Sequence, residues 1–434
     1  MNGQSHTTSH RRIYAALILV LTGLFGSGAC AEGQKAPRRQ PPARRAPGPV
    51  EFVAHRIGRY RSEACGVGDF NNDGRLDVIA GSYWYEAPDF KAHKFRSLED
   101  KVDAGGNRHV VGEDGKGYFD DFMNLPLDVD GDGRLDVVTC SWFSKRIDWY
   151  RNTGVGGSPW PMSVVVENGN FEAGDVWDID GDGREAEILP HSRATIWYEI
   201  AKGADGTQSL VGRVVSKEKR LWGGGVGDVN GDGRPDILRP DAWYEAPADP
   251  RAGQWKEHAL ALGGPSEKEA ADTPQIWVYD VDGDGLNDII TGAAHAYGLF
   301  WYRQEKTASG ASFARHVIDK SWSQVHSVTL ADLDTDGDLD IVTGKRFYAH
   351  NGGDPGGNDP LGLYWYELNR GRGVRWKKHV ISYGEGVGAG LNIPVVDMDG
   401  DGDLDIVVTG KWGGPVYFEN RSKRSPVGIQ GKQR

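Results

Sequence analysis

Cysteine is scarce in this chain, with 3 among 434 residues, so a framework of disulfides cannot be what holds it together. Beyond an N-terminal leader only Cys65 and Cys140 remain, enough for one bridge in an oxidising compartment. Long apolar runs are missing as well: the stretch from Ile13 to Phe25 is too short to serve comfortably as a mature membrane span. There is no HExxH, no GxSxG, no P-loop and no dinucleotide fingerprint. Proteolysis of that type, serine hydrolysis, phosphoryl transfer and nicotinamide chemistry are therefore without support. Basic charge is in deficit, with a formal net charge of −12, and nucleic acid is not an expected partner. What the chain has in quantity is glycine, 62 residues, and tryptophan, 15, a composition suited to many short strands.

The N-terminus carries Arg11 and Arg12, the apolar run, and then Ala29-Cys30-Ala31 as an A-x-A cleavage site. Residues 1–31 therefore read as a cleaved signal peptide, and the protein as secreted, periplasmic or cell-surface. Cys30 as the lipid-bearing cysteine of a lipoprotein is the alternative, although Ser27 stands where such signals usually carry Leu. Residues 32–50 are rich in Pro and Arg with little to bury and read as a disordered linker, and residues 423–434 as a flexible basic tail.

Seven acidic nonapeptide loops organise the rest. Their oxygen-bearing residues are Asp69, Asn71, Asp73 and Asp77; Asp128, Asp130, Asp132 and Asp136; Asp178, Asp180, Asp182 and Glu187; Asp228, Asn230, Asp232 and Asp236; Asp280, Asp282, Asp284 and Asp288; Asp332, Asp334, Asp336 and Asp340; Asp397, Asp399, Asp401 and Asp405. Oxygens at positions 1, 3, 5 and 9 around a turn glycine at position 6 are the hard ligands that Ca²⁺ takes, so up to seven Ca²⁺ are expected. The third loop departs from the pattern, with Ala186 at position 9 and Glu187 one place late. An EF-hand would need a Glu at position 12 and flanking helices; here the loops run into β-branched stretches such as VVTC and IVTG, which read as strands. Arg11 and Arg12 are the only charged side chains in the leader. The remainder is thus two charges more negative, and seven divalent cations would offset about all of it.

The first Asp of each loop follows the previous one by 59, 50, 50, 52, 52 and 65 residues, the period of a propeller blade. Each unit continues with an aromatic pair, from Trp84-Tyr85 to Tyr417-Phe418, and then an outer strand such as WKKHVIS. Four strands in each of seven units predict an all-β, seven-bladed propeller over residues 51–422. FVAHRIG (52–58) matches a fourth strand but precedes the first loop, and the last unit lacks one. The N-terminal strand is therefore expected to close the ring and remove its exposed edges.

These loops and units resemble the FG-GAP/VCBS-type repeats of integrin-α-like propellers. The resemblance implies Ca²⁺ in the hairpin between the first and second strands of each blade, in a group whose bacterial members include adhesins, lectin-like modules and enzymes. More narrowly, AAHAYGLFWY (293–302) and GKRFYAHNGGDPGGNDPLGLYWYE (344–367) resemble the propeller part of aldos-2-ulose dehydratase-like sugar enzymes. Such enzymes also carry cupin-type domains, for which this chain is too short.

If all loops lie on one face, the turns between second and third strands and the entries to the inner strands lie on the other. His55, His93, His258, His316 and His379 fall in outer strands and read as blade packing. His191, His295, His326 and His350 do not share that position, and they are expected on the loop-free face with Trp142, Asp241, Tyr297, Trp322, Lys345, Arg346, Asn351, Asp354, Asn392 and Trp412. Aromatic faces with imidazole, amide and carboxylate groups suit a saccharide or other cell-surface ligand. Insertions at 99–121 and 345–362 are expected to cover the same mouth. Two readings stand. In one, His295, His326 or His350 acts as a base, with Lys345 or Arg346 stabilising an enolate-like oxyanion in a carbohydrate lyase or dehydratase; the same histidines equally suit a transition metal. In the other, the protein is a non-catalytic adhesion or interaction module. Histidines gathered in one pocket favour the first, and dispersed ones the second. A monomer is expected, and replacing Lys345 or His350 in an open lid should leave stability nearly untouched.

Overall fold

A computed structural model describes residues 50–154, 159–167, 169–262, 272–307 and 310–422. The expected signal peptide, nearly all of the linker, and the tail lie outside them. The described residues belong to one compact unit, Arg44–Arg434. Their strands form seven four-stranded antiparallel sheets taken in chain order, the seven-bladed all-β propeller expected from the repeat. Among the described residues no helix is long and apolar enough to cross a membrane.

Blade 2 shows the plan. A short inner strand, Leu125–Leu127, enters the loop; Asp136–Cys140 leaves it; Arg146–Tyr150 carries the aromatic pair, and Met162–Glu167 forms the outer edge. The second strands, among them Asp77–Ala80, Asp136–Cys140 and Asp288–Gly292, are buried at every residue. Sheets covered on both faces call for such unbroken β-branched runs rather than alternation. The third strands place tryptophan and tyrosine between blades, Trp197 without any exposure, where truncation to Ala typically costs about 3–5 kcal/mol. Outer-strand histidines stack on the aromatic residue directly across: His93 on Trp84 at 4.3 Å, His258 on Trp243 at 4.0 Å and His379 on Trp365 at 4.0 Å. Each also contacts a glutamate of the third strand, Glu86, Glu245 and Glu367 respectively.

Closure is by the N-terminal strand. Phe52–Tyr60 pairs antiparallel with Gly414–Asn420, His55 facing Tyr417, and completes a blade whose other strands are Asp405–Val408 and Val395–Val396. Cys65 and Cys140 are both free and buried, in different packing clusters, so the one bridge the composition allows is not made.

The ninth residue of six of the loops has a second task that periodicity does not reveal. Asp136 accepts hydrogen bonds from Val129 N at 3.2 Å, Trp149 Nε1 at 2.9 Å and Asn152 N at 2.7 Å. It thereby ties the loop, the third strand and the turn after it to one buried carboxylate. Asp288 and Asp405 repeat the arrangement with Trp301 Nε1 and the Tyr417 hydroxyl as the aromatic donors, and Asp77, Asp236 and Asp340 keep its two backbone donors. Burial, with Asp130 adding to it and the three hydrogen bonds partly opposing, raises the Asp136 carboxyl to about 6. Glu187 takes donors from the loop backbone only, from Ile179 N at 3.0 Å and from Asp180, with none from the third strand.

Candidate functional site

On the face opposite the loops, three of the four off-repeat histidines meet. The ring of His295, from the turn between the second and third strands of blade 5, lies 5.0 Å from His326 and 4.4 Å from His350. His326 stands at the entry to the inner strand of blade 6, and His350 in the long turn of the same blade. A carboxylate at the entry to blade 3, Glu172, joins them: ligand atoms of Glu172, His295 and His326 lie within 4.8 Å of one another, as do those of His295, His350 and Asp354. His350 Nδ1 is 3.1 Å from Asp354 Oδ1, and His295 Nδ1 is 3.4 Å from Asp272 Oδ2. The Nε2 atoms of His295 and His326 are buried without a hydrogen-bond partner, which is unusual for buried polar atoms.

Charge sets the two rings apart. Burial disfavours the charged form of His295, but its bond to Asp272 and the carboxylates of Glu172 and Asp354 outweigh this, and its pKa is raised. Burial, reinforced by the Arg346 guanidinium, drives the pKa of His326 well below the usual range and keeps that imidazole neutral.

Arg346 lies beneath the cluster. Its Nε donates to Glu63 Oε1 at 2.7 Å and its Nη2 to Glu63 Oε2 at 3.2 Å, while Nη1 reaches Glu172 Oε1 at 3.2 Å. Burial works against this guanidinium, and the two carboxylates more than compensate, so it stays charged. A cavity of about 370 Å³ opens above it, lined by Tyr118, Phe122, Trp142, Phe143, Glu172, Arg346, His350 and Asn351. That volume is within the range of small-molecule sites.

The two insertions meet at this mouth. Gly117 N donates to Asn351 Oδ1 at 3.2 Å, Lys116 Nζ sits 5.9 Å from the Tyr348 ring, and Gly115 leaves no room for a Cβ against Phe347. The second insertion is less open than expected. Lys345 is 1% exposed, donating to Gly356 O at 2.7 Å and Ser323 Oγ at 3.1 Å, so it anchors the turn from below. It is not the exposed lid residue its loop position suggested. Burial lowers its pKa to about 8.

The other expected residues divide. Trp142, Arg346, His350 and Asn351 line the cavity, and Asp354 backs His350. His191 is buried beside His326 and Glu172 in a smaller adjoining space. Tyr297 is on the outer side of the long turn, its hydroxyl donating to Asp359 Oδ2 at 2.7 Å. Asp241 faces Arg220, Trp322 is buried against Tyr366 between blades, Trp412 packs near Arg56, and Asn392 bonds the Cys65 backbone near the axis. None of these four lines the cavity. Missed by the sequence were Glu63, Glu172, Asp272, the Tyr118-Phe122-Phe143 wall, and Lys411, whose Nζ lies 3.6 Å from the Tyr118 ring centroid. For Lys411 a signal existed, since TGK recurs at 343–345 and 409–411.

A family model described as FG-GAP-like repeat matches residues 128–189 and 280–343. The chain carries FG-GAP-like repeats, and they are arranged as a seven-bladed propeller. No curated protein sequence matches it. Among solved structures, a lectin of Agrocybe aegerita, described for specific recognition of non-reducing terminal N-acetylglucosamine, is 15% identical and aligns over 83% of this chain and 86% of its own, with a TM-score of 0.46. BBS1N in complex with ARL6DN is 10% identical over 84% and 94% of the respective chains, with a TM-score of 0.47.

Proposed function

We propose that this is a secreted, calcium-stabilised propeller whose loop-free mouth binds a saccharide and carries out a lyase or dehydratase elimination on it. The observation that carries the reading is the meeting of His295, His326 and His350 with Glu172 and Arg346 at an aromatic-walled cavity. Off-repeat histidines that only met solvent would have no reason to converge from blades 5 and 6 toward a carboxylate of blade 3. The wall of Tyr118, Phe122, Trp142 and Phe143 offers faces for the C–H side of a sugar ring, and Asn351, Glu172 and Arg346 offer partners for its hydroxyls.

His350, oriented by Asp354 and partly open to solvent, is placed to take the proton from a carbon next to a carbonyl. The electron pair of that C–H bond moves onto the carbonyl oxygen as an enolate, facing Arg346. Collapse of the enolate expels the β-oxygen substituent, which leaves with the returned proton as water or an alcohol. Glu172, His295 and His326 also fit a first-row transition ion, having nitrogen and carboxylate donors, a neutral His326 and two unpartnered Nε2 atoms. Such an ion would supply Lewis-acid polarisation of the carbonyl oxygen.

Calcium is proposed for the loops on their donor sets. Carboxylate oxygens of Asp128, Asp130 and Asp136, of Asp178, Asp180 and Glu187, and of Asp280, Asp282 and Asp288 each lie within 4.8 Å of one another. The late Glu187 thus reaches the position that the other loops fill with their ninth residue.

The test is a screen of the purified protein against plant and algal polysaccharides and keto-sugars, reading unsaturated products by ultraviolet absorbance and mass spectrometry, with metal content measured alongside. A product made by the wild type and lost in His350→Ala and His326→Ala, both still folded, supports the reading. Saccharide binding without product in every case would leave an adhesion module instead.

A further inference from the structure

A second cavity, of about 290 Å³, lies in the central channel on the side of the acidic loops, lined by the inner strands of six blades. The Asp175 carboxylate on the inner strand of blade 3 has Oδ2 buried with no hydrogen-bond partner. Gln275, beside it, is shared: its side chain hydrogen-bonds this carboxylate and leaves Oδ2 unpaired, while its Nε2 also donates to Leu391 O at 3.0 Å and its Oε1 accepts from Val328 N at 3.1 Å. Trp177 and Trp277 also line the space, their rings 5.0 Å apart and inclined at 58°. Trp277 Nε1 donates to Val328 O at 2.7 Å, whereas Trp177, 7% exposed, keeps its indole N–H without an acceptor.

We propose that this cavity binds a small alkylammonium cation, held between the Asp175 carboxylate and the Trp177 and Trp277 rings. A buried carboxylate oxygen without a partner is costly, and a bound cation removes that cost. The charge pattern selects its sign: the only ionisable residues lining the cavity are Asp175 and Glu185, with no lysine, arginine or histidine among the described ones. Indole faces select an organic cation over a hydrated inorganic one, because the ring quadrupole attracts diffuse positive charge on methyl or methylene groups. Two inclined rings form a corner that suits a rounded cation better than a flat ring. The space would hold about ten waters at a liquid share of roughly 30 Å³ each, enough for a choline-sized guest.

The test is isothermal titration of the full protein with tetramethylammonium and with choline, followed also by tryptophan fluorescence. Saturating Ca²⁺ keeps the acidic loops occupied. The neutral isostere 3,3-dimethyl-1-butanol is run in parallel. The expected result is one-site binding of at least one cation, no binding of the isostere, and affinity at least tenfold weaker in Asp175→Asn. No cation binding to the wild type, equal binding of the isostere, or unchanged affinity in a folded Asp175→Asn protein overturns the proposal. The isostere comparison decides on the wild type alone if that variant does not fold. Activity at the opposite mouth plays no part in it.

Discussion

Replacing Asp136 by Ala removes the acceptor for three donors, Val129 N, Trp149 Nε1 and Asn152 N, around a side chain with no exposure. Each buried donor left unpaired costs about 1–3 kcal/mol. Local relaxation lets one of the three find water, so the net loss should be on the order of 3–5 kcal/mol. Glu187, at the equivalent place in blade 3, takes donors only from the loop backbone, Ile179 and Asp180, and none from the third strand, and Glu187→Ala should cost only about 1–2 kcal/mol. The assay is urea unfolding of both variants and the wild type, comparing midpoints at a common slope, once in excess Ca²⁺ and once in chelator. If the ninth carboxylate is a structural tie, most of the Asp136 deficit survives in chelator. A loss below about 1 kcal/mol there, or equal losses for the two variants, would refute the reasoning and make Asp136 a metal ligand and little else.

Chelation itself should lower the melting temperature, with restoration by added Ca²⁺, since each site at a hundredfold excess over Kd contributes about 2.7 kcal/mol; an unchanged melt after verified metal removal would contradict calcium in the loops. In the long turn, His350→Ala should change stability by no more than about 0.5 kcal/mol, because that side chain is 55% exposed. Lys345→Ala should cost about 2–3 kcal/mol through the charged hydrogen bonds it loses, and denaturation midpoints would separate the two. Burial, with Glu185 adding to it and the Gln275 side chain partly opposing, raises the Asp175 carboxyl to about 7. Folding therefore holds a proton that the unfolded chain releases near pH 4; this contribution is complete below that pH and is lost as pH rises through 7. Asp175→Asn should flatten the decline between pH 5 and 8 by roughly 2–4 kcal/mol relative to wild type, and parallel pH–stability curves would count against it.

The propeller was legible because one nine-residue loop recurs at near-constant spacing, and that recurrence carries strand order, blade number and closure with it. Histidines out of step with the repeat were legible for the same reason, as departures from a known pattern. Carboxylates were not. Glu63, Glu172 and Asp272 sit at or near inner-strand entries that have no motif of their own, among 62 acidic residues. What brings them together is the angular placement of blades 1, 3 and 5, which a one-dimensional reading cannot supply. Loop membership also misled in a consistent direction: Lys345 and Trp322 lie at strand ends where one residue decides between inward and outward, Trp412 lies in a tight turn, and burial drew all three wholly or partly into packing.

The strand Phe52–Tyr60 finds its partner only in Gly414–Asn420, about 360 residues later in the chain. At about 5–20 residues per second, synthesis leaves that strand without its partner for roughly 20–70 seconds, however quickly the blades between them form. An unpaired strand is an invitation to the wrong neighbour, and this one carries Arg56 and Arg59 among its apolar residues, charge that opposes pairing with a second copy of itself. Ring closure is thus a late event that couples the first and last blades, and a chain interrupted anywhere before residue 414 would be left with both edges open.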